Sequence, residues 1–133
     1  MATPIETVES FLRALEQGER ERAFELLADD VVYQNVPFPA DRGKPAVMRT
    51  FQRFEKVMTK FEVKMKNIAA NGDVVLTERI DILSGPLLHL DIWVCGTFEV
   101  KNGKIVLWRD YFDLAEVTAK LIASPFRKLL GLA

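Results

Sequence analysis

One arginine and two aspartates carry the chemistry that this sequence can be read for. Side chains alternate between the two faces of an extended strand. In Val74–Leu83 that puts Val75, Thr77, Arg79, Asp81 and Leu83 on one face, and Val74, Leu76, Glu78, Ile80 and Ile82 on the other. In Lys104–Asp113, Val106, Trp108, Asp110 and Phe112 share a face, which sets Asp110 between two aromatics. Arg79, Asp81 and Asp110 therefore point where core residues point. A buried charge without a partner costs several kcal/mol, so the three are expected to find each other. One guanidinium can donate to two carboxylates at once. Two carboxylates sharing a cation in apolar surroundings do not titrate alike: desolvation and mutual repulsion raise one pKa, and the arginine lowers the other. One protonated and one ionised carboxyl would be an acid and a base facing a single cavity. The competing reading is a structural ion cluster with no chemistry.

The elements that must position these groups follow from pattern. Thr3-Pro4-Ile5-Glu6 has the residues of a capping box with proline at the first helical position. Ile5, Val8, Phe11, Leu12 and Leu15 then recur at helical spacing up to Gly18. A short helix is predicted over Glu19–Leu27, broken by Asp29-Asp30, and a strand over Val31–Asn35, ended by Pro37 and Pro39. A third helix is predicted over Pro45–Met58. Four strands follow: Phe61–Ala70, Val74–Leu83, Leu87–Lys101 and Lys104–Asp113. Asn71-Gly72-Asp73, Ser84-Gly85-Pro86 and Asn102-Gly103 separate them, and the last pair is a strong hairpin signal. A helix over Leu114–Ile122 and an apolar tail expected to pack down complete the chain. Both faces of Val74–Leu83 are largely apolar, so that strand is expected to be covered on both sides. Helices first and a meander of long strands last argue an α+β class.

The bulk composition excludes several classes. The 133 residues fit one domain over 1–133, with 49% hydrophobic and 28% charged residues and a formal net charge of −1. No basic excess points to nucleic acid or an anionic membrane surface. The single cysteine, Cys95, forms no internal disulfide, and with no secretory signal in the first residues a cytoplasmic location is expected. No apolar run is long enough for a membrane helix. There is no His/Cys cluster, phosphate-cradling glycine loop or Gly-x-Ser-x-Gly elbow, so neither metal nor cofactor is expected. His89, the sole histidine, is read as non-catalytic, and Cys95 as a small core residue of a buried strand.

Three segments together resemble the limonene-1,2-epoxide hydrolase family. They are Tyr33-Gln34-Asn35, Thr77-Glu78-Arg79-Ile80-Asp81 and Trp108-Arg109-Asp110-Tyr111-Phe112-Asp113, the last preceded by Asn102-Gly103-Lys104-Ile105. The likeness runs over residues 5–116, and differs in the loop Ser84–Leu90. It implies a cone-shaped α+β barrel of the NTF2-like or SnoaL-like kind, helices on a strongly curved mixed sheet, and a homodimer formed through the open sheet face. It also implies roles. Asp110 would be the general base acting on water, Tyr33 and Asn35 would hold that water, Asp81 would protonate the epoxide oxygen, and Arg79 would bridge the two acids.

The expected partners are thus water and a small apolar epoxide of terpene, alicyclic or lipid-like kind. Leu83, Ile92, Val94 and Phe112 are wall candidates by strand alternation, with Met58 from the third helix. Two other readings stay open. One is an isomerase or cyclase on the same fold, using Asp110 as base and Tyr33 as oxyanion donor. The other is a pocket that binds an apolar ligand without turning it over.

Overall fold

The computed structural model describes residues 2–131. Helix α1 spans Pro4–Glu16 and starts as its sequence dictates. The Thr3 hydroxyl accepts from the Glu6 backbone at 3.1 Å and the Glu6 carboxylate accepts from the Thr3 backbone at 3.0 Å. Val8, Phe11, Leu12 and Ala14 form its buried stripe. Burying a side chain such as Phe11 stabilises the fold by about 1.5–3 kcal/mol.

Helix α2 is shorter than its pattern suggests, Arg20–Glu25, because the chain turns into strand at Leu27. Strand β1 covers Leu27–Val36 and includes Asp29-Asp30, which were expected to lie before it. The two aspartates are exposed at a register shift between Leu27 and Val32, so the strand absorbs them as a bulge. Strand β2 is only Asp41–Arg42, too short for any periodicity to announce it. Helix α3 spans Lys44–Phe54 and stops short of the predicted Met58. There the chain is captured by the sheet instead, the Thr59 backbone donating to Ser84 O at 2.8 Å.

Strands β3 (Lys60–Asn71), β4 (Val74–Gly85), β5 (Leu88–Lys101) and β6 (Lys104–Phe112) form the meander. Asn102 and Gly103 take φ of +53° and +74°, as a primed two-residue hairpin turn requires. The predicted break at Ser84–Pro86 is narrower in the structure: Ser84 pairs with His89 and Gly85 with Leu88, leaving Pro86-Leu87 as the turn. The sheet order is β2-β1-β6-β5-β4-β3, with β1 and β6 parallel and every other pair antiparallel. The result is an open, curved mixed sheet with helices packed on it, a cone-shaped α+β fold.

Three expectations about faces need correction. Ile105, not Val106, turns into the core, because β6 shifts register against β5 between Glu99 and Val100 and the alternation slips there. The strand β4 is covered on one side only. Val75, Thr77, Arg79 and Asp81 are buried, whereas Leu76 on the other face is half exposed, as is Trp93 of β5, which pairs with Ile80; Cys95, expected in the core, is exposed on that same outer face. Helix α4, Leu114–Leu129, runs well past the predicted Ile122 and through Pro125. Ser124 is buried and holds it to β5, accepting from the His89 backbone nitrogen at 2.6 Å and donating to the His89 carbonyl at 3.3 Å. The tail does not simply pack down, since Phe126 and Leu130 are exposed.

Candidate active site

The parallel pairing of β1 with β6 and the meander β6-β5-β4 bring five polar side chains to one region of the inner face. Arg79 is fully buried on β4, Asp81 lies two residues along it, and Asp110 comes from β6; all three are buried. Arg79 donates from Nε to Asp81 Oδ1 at 3.0 Å and from Nη2 to Asp81 Oδ2 at 2.9 Å, a bidentate grip. Its Nη2 also stands 3.2 Å from Asp110 Oδ1, an ion pair without an aligned hydrogen bond. Nη1 donates to the Thr77 hydroxyl at 3.0 Å. Thr77 was not singled out from the sequence, although it shares the inner face with Arg79 and Asp81.

Tyr33 and Asn35 belong to β1, in register with Trp108 and Asp110 of β6. Asn35 Nδ2 donates to the Tyr33 hydroxyl at 2.8 Å. The phenol oxygen thus already accepts one hydrogen, and its own O–H is free to be donated. Burial raises the Tyr33 pKa, and the Asp110 charge adds to the effect, so the phenol stays neutral. Burial disfavours the Arg79 charge, but Asp110 and Asp81 outweigh it and the guanidinium is held protonated. Burial pushes the Asp110 carboxyl up to about 6, opposed by Arg79 and reinforced by Asp81. With one cation and two carboxylates the buried cluster would be an anion, and a single added proton neutralises it.

These groups border a cavity of about 780 Å³ into which Tyr33, Asn35, Asp81 and Asp110 face, while Arg79 stays behind the wall. Leu83, Ile92, Val94, Phe112 and Met58 all line it. Sequence reasoning missed Phe51, Leu88 and Leu90, and Val117 and Leu121 of α4. The signal for two of them was present: Leu88 and Leu90 continue the alternation of Ile92 and Val94. Trp108 serves both wall and core. It packs edge-on against Phe11 at 4.9 Å and lies 4.2 Å from the Tyr33 ring and 5.7 Å from Phe51. Among the described residues no group of His, Cys, Asp and Glu is arranged to hold a metal ion.

Two carboxylates held on one buried guanidinium, at the wall of a largely apolar cavity, on a curved α+β sheet, are the features by which the chain can be compared with known enzymes. The family model described as the limonene-1,2-epoxide hydrolase catalytic domain matches residues 2–123. The chain belongs to the limonene-1,2-epoxide hydrolase family, and the match reaches beyond the segment over which the sequence motifs could be read. It is 43% identical over 115 residues to epoxide hydrolase EphG of Mycobacterium tuberculosis, covering 86% of this chain and 76% of that relative. A solved LEH-like epoxide hydrolase from M. tuberculosis superposes with a TM-score of 0.86 at 39% identity, over 96% of each chain. An NTF2-like protein of unknown function from Burkholderia pseudomallei superposes at 0.81 over 90% of this chain and 98% of its own, with 15% identity, and so shares the fold.

Proposed function

We propose that this epoxide hydrolase adds water to an apolar epoxide in one concerted step, giving a vicinal diol without a covalent intermediate. Asp110 is the base. A water held by the Tyr33 hydroxyl and the Asn35 amide loses a proton to Asp110 as its oxygen attacks a ring carbon. The carbon–oxygen bond breaks, and Asp81 delivers its proton to the departing oxygen, so no free alkoxide forms. Arg79 keeps the two carboxyls in place from behind. After each turnover the proton on Asp110 returns to Asp81, by way of solvent water, to restore the starting state. A positioned acid and a positioned base are each worth about 10²–10⁴-fold.

The observation that carries this reading is the unequal hold of one buried arginine on two carboxylates that both reach the cavity. An isomerase needs a carboxylate base and an oxyanion donor, which can itself be a protonated acid; the guanidinium that bridges both carboxyls has no assigned part in that reaction. The apolar lining favours terpene, alicyclic or lipid-like epoxides, and no cofactor or metal enters the step. Two copies are proposed to pair through the outer sheet face, where Leu76, Trp93 and Tyr111 are exposed. A cytoplasmic location is supported by the single unpaired Cys95; among the described residues no helix is long and apolar enough to cross a membrane. The test is chiral chromatography of diol from limonene oxide, cyclohexene oxide and styrene oxide. Diol from the native chain, and none from folded Asp110→Asn or Asp81→Asn, is expected. Turnover retained in either variant overturns the assigned role.

A further inference from the structure

The geometry points to Thr77 and Gly96 as positioning residues for the acid–base pair: Thr77 fixes the free arm of the Arg79 guanidinium, and the bare Cα of Gly96 leaves the opening through which that guanidinium reaches Asp110. The inference rests on the hydrolase reading and adds two residues to it.

Thr77, Gly96 and Asp110 lie side by side in one row across β4, β5 and β6, since Thr77 pairs with Gly96 and Gly96 with Asp110. Arg79 starts on β4 and Asp110 on β6, two strand spacings apart, about 10 Å. The arginine side chain must cross β5 to close that gap to 3.2 Å. The residue under its path is Gly96. A Cβ at Gly96 would lie 2.5 Å from Arg79 Nη1, 2.8 Å from Asp110 Oδ1 and 2.8 Å from Thr77 Oγ1. Gly96 is not among the glycines with positive φ, so the backbone does not require glycine here; the space does. Any larger residue would stand between the cation and the base.

Thr77 controls the other degree of freedom. Its buried hydroxyl accepts from Arg79 Nη1 at 3.0 Å and donates to the Gly96 carbonyl at 3.4 Å. With Nε and Nη2 on Asp81, this third bond holds the guanidinium plane so that Nη2 also faces Asp110. The charged groups around Asp110 are Arg79 and Asp81, both from β4; Trp108 of β6 and Tyr33 and Asn35 of β1 complete its surroundings without charge. Loosening Arg79 therefore weakens the one cation that stabilises ionised Asp110.

The experiment measures kcat and KM for cyclohexene oxide from pH 4.5 to 9, and the carboxyl ¹³C titration of Asp110 by NMR. It uses the native chain, Thr77→Val, Thr77→Ser and Gly96→Ala. Thr77→Val is expected to lower kcat about tenfold with little change in KM, because a hydrogen bond to a charged group is lost. It should also move the acid limb of kcat/KM and the Asp110 titration to higher pH. Thr77→Ser, which keeps the hydroxyl, should restore both, and Gly96→Ala should exceed Thr77→Val in both effects. A lowered Tm in Thr77→Val with unchanged kcat and an unchanged Asp110 titration overturns the proposal, because packing alone would explain the residue. If Gly96→Ala does not fold, the two Thr77 variants decide. If the native chain turns over no epoxide, the hydrolase reading fails, while the Asp110 titration still supports the positioning role by shifting or overturns it by not shifting.

Discussion

Asn35 and Asp110 stand opposite one another in the parallel pair β1–β6, although 75 positions of chain separate their numbers. The residue proposed to orient a water and the residue proposed to deprotonate it are thus held by backbone register. The Asn35 amide is in turn fixed on Tyr33 at 2.8 Å. No loop intervenes between these groups, so their spacing is as rigid as the sheet.

Tyr33→Phe tests the hydroxyl alone. The Phe ring can keep the stack on Phe51 at 5.9 Å and the contact with Trp108, so stability should fall by no more than about 1–2 kcal/mol. Loss of one hydrogen bond to the water should lower kcat about tenfold or more at unchanged KM. Steady-state kinetics with a thermal melt on the same sample checks both.

The pH dependence follows from Asp110. Burial raises its carboxyl to about 6, so kcat/KM should fall below that pH with a slope of one as the base takes up a proton. The same shift sets a stability trend. The folded carboxyl binds its proton more tightly than the ordinary value of 3.8, so its contribution is complete below that pH and is lost as pH rises through about 6. Denaturant midpoints from pH 3.5 to 7.5 should therefore show the native chain losing ground to Asp110→Asn as pH rises. A difference that stays flat would refute the raised value.

Arg79→Lys should behave as a severe substitution. A lysine has one point charge and cannot grip Asp81 through two bonds while meeting Asp110. Breaking a buried ion cluster typically costs about 3–5 kcal/mol. A large drop in unfolding free energy with loss of diol formation is expected, and a near-native melt would argue that the cluster is not held by this residue.

The open face of the sheet gives a separate expectation. Trp93 is 55% exposed and Leu76 51% exposed on a surface that none of the described helices covers. If two copies pair there, the native chain sediments as a dimer and Trp93→Glu with Leu76→Glu gives a folded monomer. A monomeric native chain at micromolar concentration would refute that arrangement.

The grouping of the buried polar residues was more legible in the sequence than the boundaries were. Alternation alone turned Arg79, Asp81 and Asp110 to one face, because three charges inside long apolar strands leave few arrangements open. The Asn102-Gly103 turn was legible because positive φ at both positions demands such residues. Period-two reading failed at Val106, where the β5–β6 ladder slips, and Asp29-Asp30, read as a break before the strand, were taken into β1 at its own register shift. It also misjudged Leu76, since an apolar face says only that something apolar belongs there, not that this chain supplies it. Helix α4 hid its length because Pro125 reads as a stop, while the two hydrogen bonds from Ser124 to the His89 backbone that pin it come from a residue 35 positions away. Thr77 and Gly96 escaped notice for a related reason: their importance lies in what neighbouring strands place against them.

The Ser124 clasp has an evolutionary corollary. The polar groups proposed to handle protons all ride on β1, β4 and β6, whereas Val117 and Leu121 of the cavity wall ride on a helix tied near its far end to the start of β5. Substitutions at Val117 or Leu121 can reshape the chamber while leaving every donor and acceptor of the reaction untouched. Part of the chamber wall thus sits on a different piece of secondary structure from the polar cluster, although Leu83 and Phe112 share its strands. Variation along that one helix would then alter which molecules the chamber admits while the buried cluster stays as it is.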